Sequence, residues 1–181
     1  MANQSQSDDE KSLDTILSWY DDQVAALLYF KNKIVDVVVN SDQENKIDAK
    51  FIDLTLNDLN EYFTNSVVEL EYLVCFDLIS ATEALLRLDY NNRDNRKDKS
   101  SIGRIFRIID RKKGNKISLE EDILEAWKDE TNNGSFSHFS GILKYRHWLA
   151  HGRYWKPKLG RFYTVDNAFV ISYNILKTIS V

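Results

Sequence analysis

The chain has 181 residues, of which 43% are apolar and 12% aromatic, with one proline, six glycines and one cysteine. That apolar content supports one core of ordinary size and excludes wholesale disorder, and so few backbone breakers exclude a turn-rich sandwich or barrel. The net charge of −4 conceals a division, since residues 1–92 hold 6 Lys/Arg against 18 Asp/Glu and residues 93–181 hold 18 against 10, so the acidic average does not exclude a polyanionic partner.

Residues 1–11 are polar and acidic and read as a disordered tail, without the basic start and greasy stretch of a secretory signal. Residues 12–181 read as a single helical domain. No apolar run approaches the roughly 20 residues of a membrane span, so no membrane partner is expected. Cys75 has no second cysteine to pair with, and a cytoplasmic location is the expectation.

From Leu13 the apolar positions fall at Leu13, Leu17, Tyr20, Val24, Leu27, Leu28, Ile34 and Val38, in steps of three and four that mark one helix face. The run Val37-Val38-Val39 leaves the end of this helix open. Asn40 to Lys50 reads as a polar loop. A second pattern runs through Leu56, Leu59, Phe63, Val67, Leu70, Val74, Leu78, Ala81, Leu85 and Leu88. Thr55 caps its start with Asp58 three residues on, and a helix reaching Tyr90 would be about 35 residues and ~50 Å long.

Ile102, Ile105, Phe106 and Ile109 predict a shorter helix that ends before Gly114. Ser118-Leu119-Glu120-Glu121 has the form of a capping box, leading into a helix through Ile123, Leu124 and Trp127. Asn132-Asn133-Gly134 is a turn. Phe136 to His151 is helical again, Gly152 is placed for a left-handed cap, and Pro157 prevents early resumption. A last helix runs from about Val165. Together these predict an all-α fold, an antiparallel bundle of about five to six helices.

All three histidines fall between Ser137 and Gly152. The stretch from Asn132 to Val165 has no acidic residue but contains Lys144, Arg146, Arg153, Lys156, Lys158 and Arg161. Arg146, four intervening residues and His151, near the end of a late helix, resemble the signature of the HEPN domains. In that family the residue after the arginine is typically polar, as His147 is here, and Leu149-Ala150-His151-Gly152 is similar to the usual continuation. The resemblance covers most of the chain and implies an all-α, HEPN-like bundle.

Many HEPN proteins are metal-independent endoribonucleases, and some are toxins paired with an antitoxin or parts of phage-defence systems. The resemblance therefore implies that Arg146 and His151 carry RNA cleavage with His147 assisting, that RNA is the partner, and that no cofactor or metal is needed. It also implies a homodimer with a composite active site. Some groups carry an acidic residue on an earlier helix that orients the catalytic arginine or histidine, and Glu83 is the candidate here. In one variant a tyrosine two residues after the histidine is modified by a nucleotidyltransferase antitoxin. Here that position is Arg153, with Tyr154 one later, a departure that counts against this regulation.

The chemistry stands without the family. Cleavage by 2′-hydroxyl attack needs a base, an acid for the 5′-oxygen and positive charge on the phosphorane, and leaves a 2′,3′-cyclic phosphate. Histidine titrates near pH 6.5 and serves either proton transfer. Arginine stays charged and matches two phosphate oxygens. At ~100° per residue, Arg146 and His151 lie ~140° apart around a helix and ~7.5 Å along it, whereas His147 and His151 share a face. One helix thus presents two imidazoles together and a guanidinium to the side, so either Arg146 bends round or a second copy supplies the missing group.

Lys144, Arg153 and Tyr154 are expected to support this site, and Lys156, Lys158 and Arg161 to hold RNA. Trp148, Tyr154, Trp155, Phe162 and Tyr163 are either base-stacking platforms or core and dimer contacts. The basic segment Arg93 to Lys116 either tracks an RNA backbone or is a solvated face. A different class of reading also stands, a non-catalytic HEPN-fold module that binds RNA, a nucleotide or a protein. In a third, a surface arginine and histidine near a helix end interact with its dipole and the motif is coincidental.

Overall fold

Apolar residues at helical spacing recur along the whole chain, and helices form wherever they do. The computed structural model describes residues 11–40, 48–95, 98–131, 134–156 and 163–180. Among these there is no strand, and the expected all-α helical bundle is present: α1 Leu13–Asn40, α2 Leu56–Asn95, α3 Ser101–Lys113, α4 Glu125–Thr131, α5 Gly134–Ala150 and α6 Val165–Ile179. The predicted tail of residues 1–11 lies, apart from Lys11, outside the described residues. The chain divides into two compact units, one of Asp14–Val74 and one that starts at Cys75 and, among the described residues, takes in residues 11–13. The long α2 therefore contributes its first half to one and its second half to the other.

In the N-terminal unit, the core joins Ile34 of α1 to Phe51, Leu59 and Phe63. Phe51 stands on a single 3₁₀ turn, Ala49–Phe51. It packs edge-on against Phe30 at 5.7 Å and stacks with Phe63 at 6.1 Å. An aromatic plug of this kind contributes its buried area and roughly 0.5–1.5 kcal/mol per well-oriented ring pair. The predicted start of α2 is as expected. The Asp58 carboxylate accepts from the Thr55 N–H at 2.9 Å, and the Thr55 hydroxyl accepts from the Asp58 N–H at 3.2 Å. Part of the predicted Asn40–Lys50 loop, residues 41–47, lies outside the described residues.

In the C-terminal unit, α5 packs against α6, α4 and the turn before α4, and α4 packs against α3. A ladder of rings crosses it: Tyr90 to Phe106 at 4.8 Å, Phe106 to Trp127 at 6.3 Å, and Trp127 stacked on Phe136 at 5.6 Å. Four segments meet on one guanidinium. Arg93 donates to Asp89 at 2.7 Å, to Asp98 at 3.1 Å and to the Ile179 carbonyl at the end of α6 at 2.7 Å, while its plane lies 5.2 Å from the Trp127 ring. This anchoring carries α2 past Tyr90 to Asn95, five residues beyond the sequence expectation.

The segment after Ser118 differs from the predicted capping box. The Ser118 hydroxyl accepts from the Glu121 N–H at 3.3 Å, as a box requires. The carboxylate that returns to the Ser118 N–H, at 2.8 Å, is Asp122 and not Glu121. The backbone widens into a π-helical turn over Leu119–Leu124, which shifts the returning acid by one residue. Asp122 is buried and also receives Lys113 Nζ at 2.6 Å. Burial pushes its carboxyl up, but the Lys113 ammonium and the Ser118 N–H outweigh this and hold it below the ordinary range.

Candidate active site

The site is built on the end of α5. Phe136, Phe139, Ile142, Leu143 and Tyr145 bury one side of this helix, so Lys144 and His147, with His151 just beyond its end, are left on the exposed side. The helix stops as the glycine predicts. Gly152 adopts φ 73° and Arg153 follows at φ 61°. The Gly152 N–H donates to the Leu149 carbonyl at 3.4 Å and the Arg153 N–H to the Trp148 carbonyl at 3.2 Å, the paired bonds of a Schellman cap. The His151 N–H still donates to the His147 carbonyl at 3.1 Å, so the two histidines keep their helical spacing.

Their rings lie 4.2 Å apart between centroids. The Trp155 ring lies 6.2 Å from His147 and 6.5 Å from His151. Trp155 is held there because its carbonyl accepts from Trp148 Nε1 at 2.7 Å, and Trp148 is itself stacked on the buried Tyr145 at 5.7 Å. Two solvent-facing imidazoles and a half-exposed indole thus share one surface, and a hydrogen bond fixes the loop that carries the indole.

Arg146 points elsewhere. Its side chain is 34% exposed, and its Nη2 lies 3.7 Å from Oε2 of Glu83 on α2. The guanidinium carbon lies 5.4 Å from the Phe76 ring, also on α2. Phe76 and Glu83 are seven residues apart and therefore share a stripe of α2. Glu83 receives Arg87 on its other oxygen at 3.1 Å, so one carboxylate bridges two guanidiniums. The buried Nε of Arg146 has no hydrogen-bond partner among the described residues. The protein thus engages this guanidinium through one long ion pair and an aromatic face and leaves donor capacity unused.

The remaining predicted residues are spread out. Lys144 precedes His147 by one turn and lines a groove of about 520 Å³ with Glu120, Glu121, Glu125, Lys128 and α5 residues Ser137, Ser140 and Gly141. Arg153 and Lys156 are exposed in the loop after the cap. Tyr154 is 91% exposed, and its ring approaches the Gly152 α-carbon, where an added Cβ would sit 3.3 Å away. Lys158, Arg161 and Phe162 lie outside the described residues. Tyr163 is a core residue, buried against Tyr145 at 5.5 Å, with its hydroxyl 2.9 Å from where a Cβ on Gly141 would stand. That close approach explains a glycine in mid-helix.

Phe76 is the contact that reading the sequence missed. Its spacing from Glu83 was the available signal, but nothing in the sequence said that this stripe of α2 meets α5. Among the described residues no group of three or more His, Cys, Asp or Glu is placed to hold a metal ion. The arrangement offers two adjacent proton carriers, an aromatic platform and, one step around the same helix, a cation with spare donors. No protein-family model, curated protein or solved structure matches the chain.

Proposed function

We propose that this protein is an endoribonuclease that cleaves RNA by 2′-hydroxyl attack and leaves a 2′,3′-cyclic phosphate, in the manner of the HEPN domains its motif resembles. The observation that carries the reading is the pair of solvent-facing imidazoles 4.2 Å apart beside Trp155. Neighbouring imidazoles supply a base for the 2′-hydroxyl and an acid for the 5′-oxygen, an effect worth ~10²–10⁴-fold. Trp155 suits an unpaired base next to the scissile linkage. Arg146 stabilises the phosphorane, and Glu83 with Phe76 sets where its guanidinium stands. Arg146 lies ~100–140° around α5 from the imidazoles, so the reading includes a homodimer in which one copy presents arginine to the other's histidines. A toxin or phage-defence role, with a cognate antitoxin, belongs to the same proposal.

One observation favours the non-catalytic module: within a single chain Arg146 already has Glu83 and Phe76 as partners, as a structural arginine would. The two readings separate on product ends. Purified protein is incubated with total RNA in EDTA and the termini are examined. Cyclic phosphates that appear with the native protein and vanish in both Arg146→Ala and His151→Ala are the expected result. Intact RNA with undiminished RNA binding would establish the module instead.

A further inference from the structure

Several basic side chains of the C-terminal unit are paired internally. Arg87, Arg93, Lys113, Lys128 and Arg146 each have a carboxylate within 4 Å. The outer face of α3 gathers basic side chains that lie outside these pairs. Ile102 and Phe106 face the core, and the opposite stripe presents Arg104, Ile108, Arg111 and Lys112 to solvent. Arg104 and Lys112 have no carboxylate within 4 Å among the described residues. Lys116, one turn further on, is also exposed. The only acid within α3 is the half-buried Asp110. Arg107 and Arg111 are partly balanced by Asp94 of α2.

From Arg104 to Lys112 the face runs about 12 Å, several steps of a stacked strand at its ~3.4 Å rise. Two uncompensated cations, Arg104 and Lys112, with the partly balanced Arg111 between them, match a phosphodiester backbone over that length. They do not match a protein surface as well, because Ile108 is the one large apolar side chain on the face and there is no aromatic residue to anchor a protein interface.

We propose that the outer face of α3, through Arg104, Arg111 and Lys112, binds the phosphate backbone of single-stranded RNA and supplies affinity, but no chemistry, to the reaction at the end of α5. The proposal rests on the endoribonuclease reading for its ligand and is testable apart from it. Its contribution is electrostatic and independent of base sequence, so it must appear in the salt dependence of binding.

The test measures binding of a fluorescent single-stranded RNA 20-mer by anisotropy across a salt series. It uses the full chain carrying His151→Ala, so that cleavage does not intrude. Neutralising Arg104→Gln with Lys112→Gln removes two phosphate contacts and should lower the slope of log affinity against log salt by about 1.4. Lys128→Gln, which removes a cation paired with Glu125, should leave the slope unchanged. In the cleaving protein the double variant should raise KM and leave kcat alone. An unaltered slope, or an equal loss in the Lys128→Gln control, overturns the proposal. So does a double variant that binds RNA normally but sediments as a smaller species, which would make the face a contact between copies. RNA that is bound with the expected slope yet never cut by the native chain would refute the nuclease reading and leave this surface standing.

Discussion

His147 and His151 owe their proximity to helical spacing, but the contacts of the Arg146 guanidinium come from another helix. The Glu83 carboxylate spans Arg87 and Arg146, and its side chain is only 20% exposed. Glu83→Gln keeps the shape and removes the charge. Partly exposed ion pairs contribute ~0.2–1 kcal/mol, so thermal stability should change little. Cleavage should fall roughly 10- to 100-fold, because a ~1 Å displacement of a positioned group costs up to ~10² in rate. Melting temperature and initial rate, measured on the same preparation, check this; a loss of both together would mean that Glu83 serves the fold alone. A second carboxylate, Asp98, is governed by different neighbours. The Ser100 hydroxyl and N–H, with the Arg93 guanidinium, hold it down to about 2 from a usual 3.8. A folded-state value below the unfolded one contributes stability that is complete above the unfolded value and is lost as pH falls through the folded one. Asp98→Asn should therefore lower urea midpoints at neutral pH and flatten their decline between about pH 4 and pH 2. A variant whose midpoints parallel the native protein's over that window would show that the Ser100 and Arg93 contacts do not survive in solution.

At the scale of elements, legibility follows from whether the cause is local. Thr55 with Asp58, the start of α6 at Val165 and the stop at Gly152 are made by residues within a few positions of each other, and each was readable in the chain. The extension of α2 to Asn95 depends on Arg93 reaching the Ile179 carbonyl, 86 residues away, and no periodicity reports that. Likewise the Ser118 segment has the letters of a capping box, but the partner of Asp122 is Lys113, which lies outside those letters and belongs with a wider turn. The same division holds for the site. The shared face of His147 and His151 and the sideways placement of Arg146 follow from helical geometry alone, whereas the Phe76 contact and the indole beside the imidazoles need the folded chain. Gly152→Ala tests the local kind of cause. With φ at 73° the substitution should cost about 1–2 kcal/mol from the left-handed backbone. It should also disturb Trp155, whose carbonyl is held only seven residues from Trp148. A lowered melting temperature together with altered tryptophan fluorescence is the expected signature, and an unchanged melting temperature would contradict the cap.

At the scale of the whole molecule, the proposed reaction concerns two copies of the chain. The imidazole pair and the guanidinium leave α5 in different directions, so a composite cleft requires Arg146 from one copy and His151 from the other. Complementation decides between this and a site contained in one chain. Arg146→Ala and His151→Ala proteins, each inactive, are mixed and allowed to exchange subunits. In a shared cleft, a mixed dimer has one site with both groups intact and one with neither. Random exchange makes about half of the dimers mixed, so activity should return to roughly a quarter of the native level. A self-contained site predicts no recovery at any mixing ratio, because every copy would lack one of its own groups. Light scattering on the same samples separates the remaining case: recovery requires a dimer, and a monomer throughout would remove the composite site whatever the activity of the native chain.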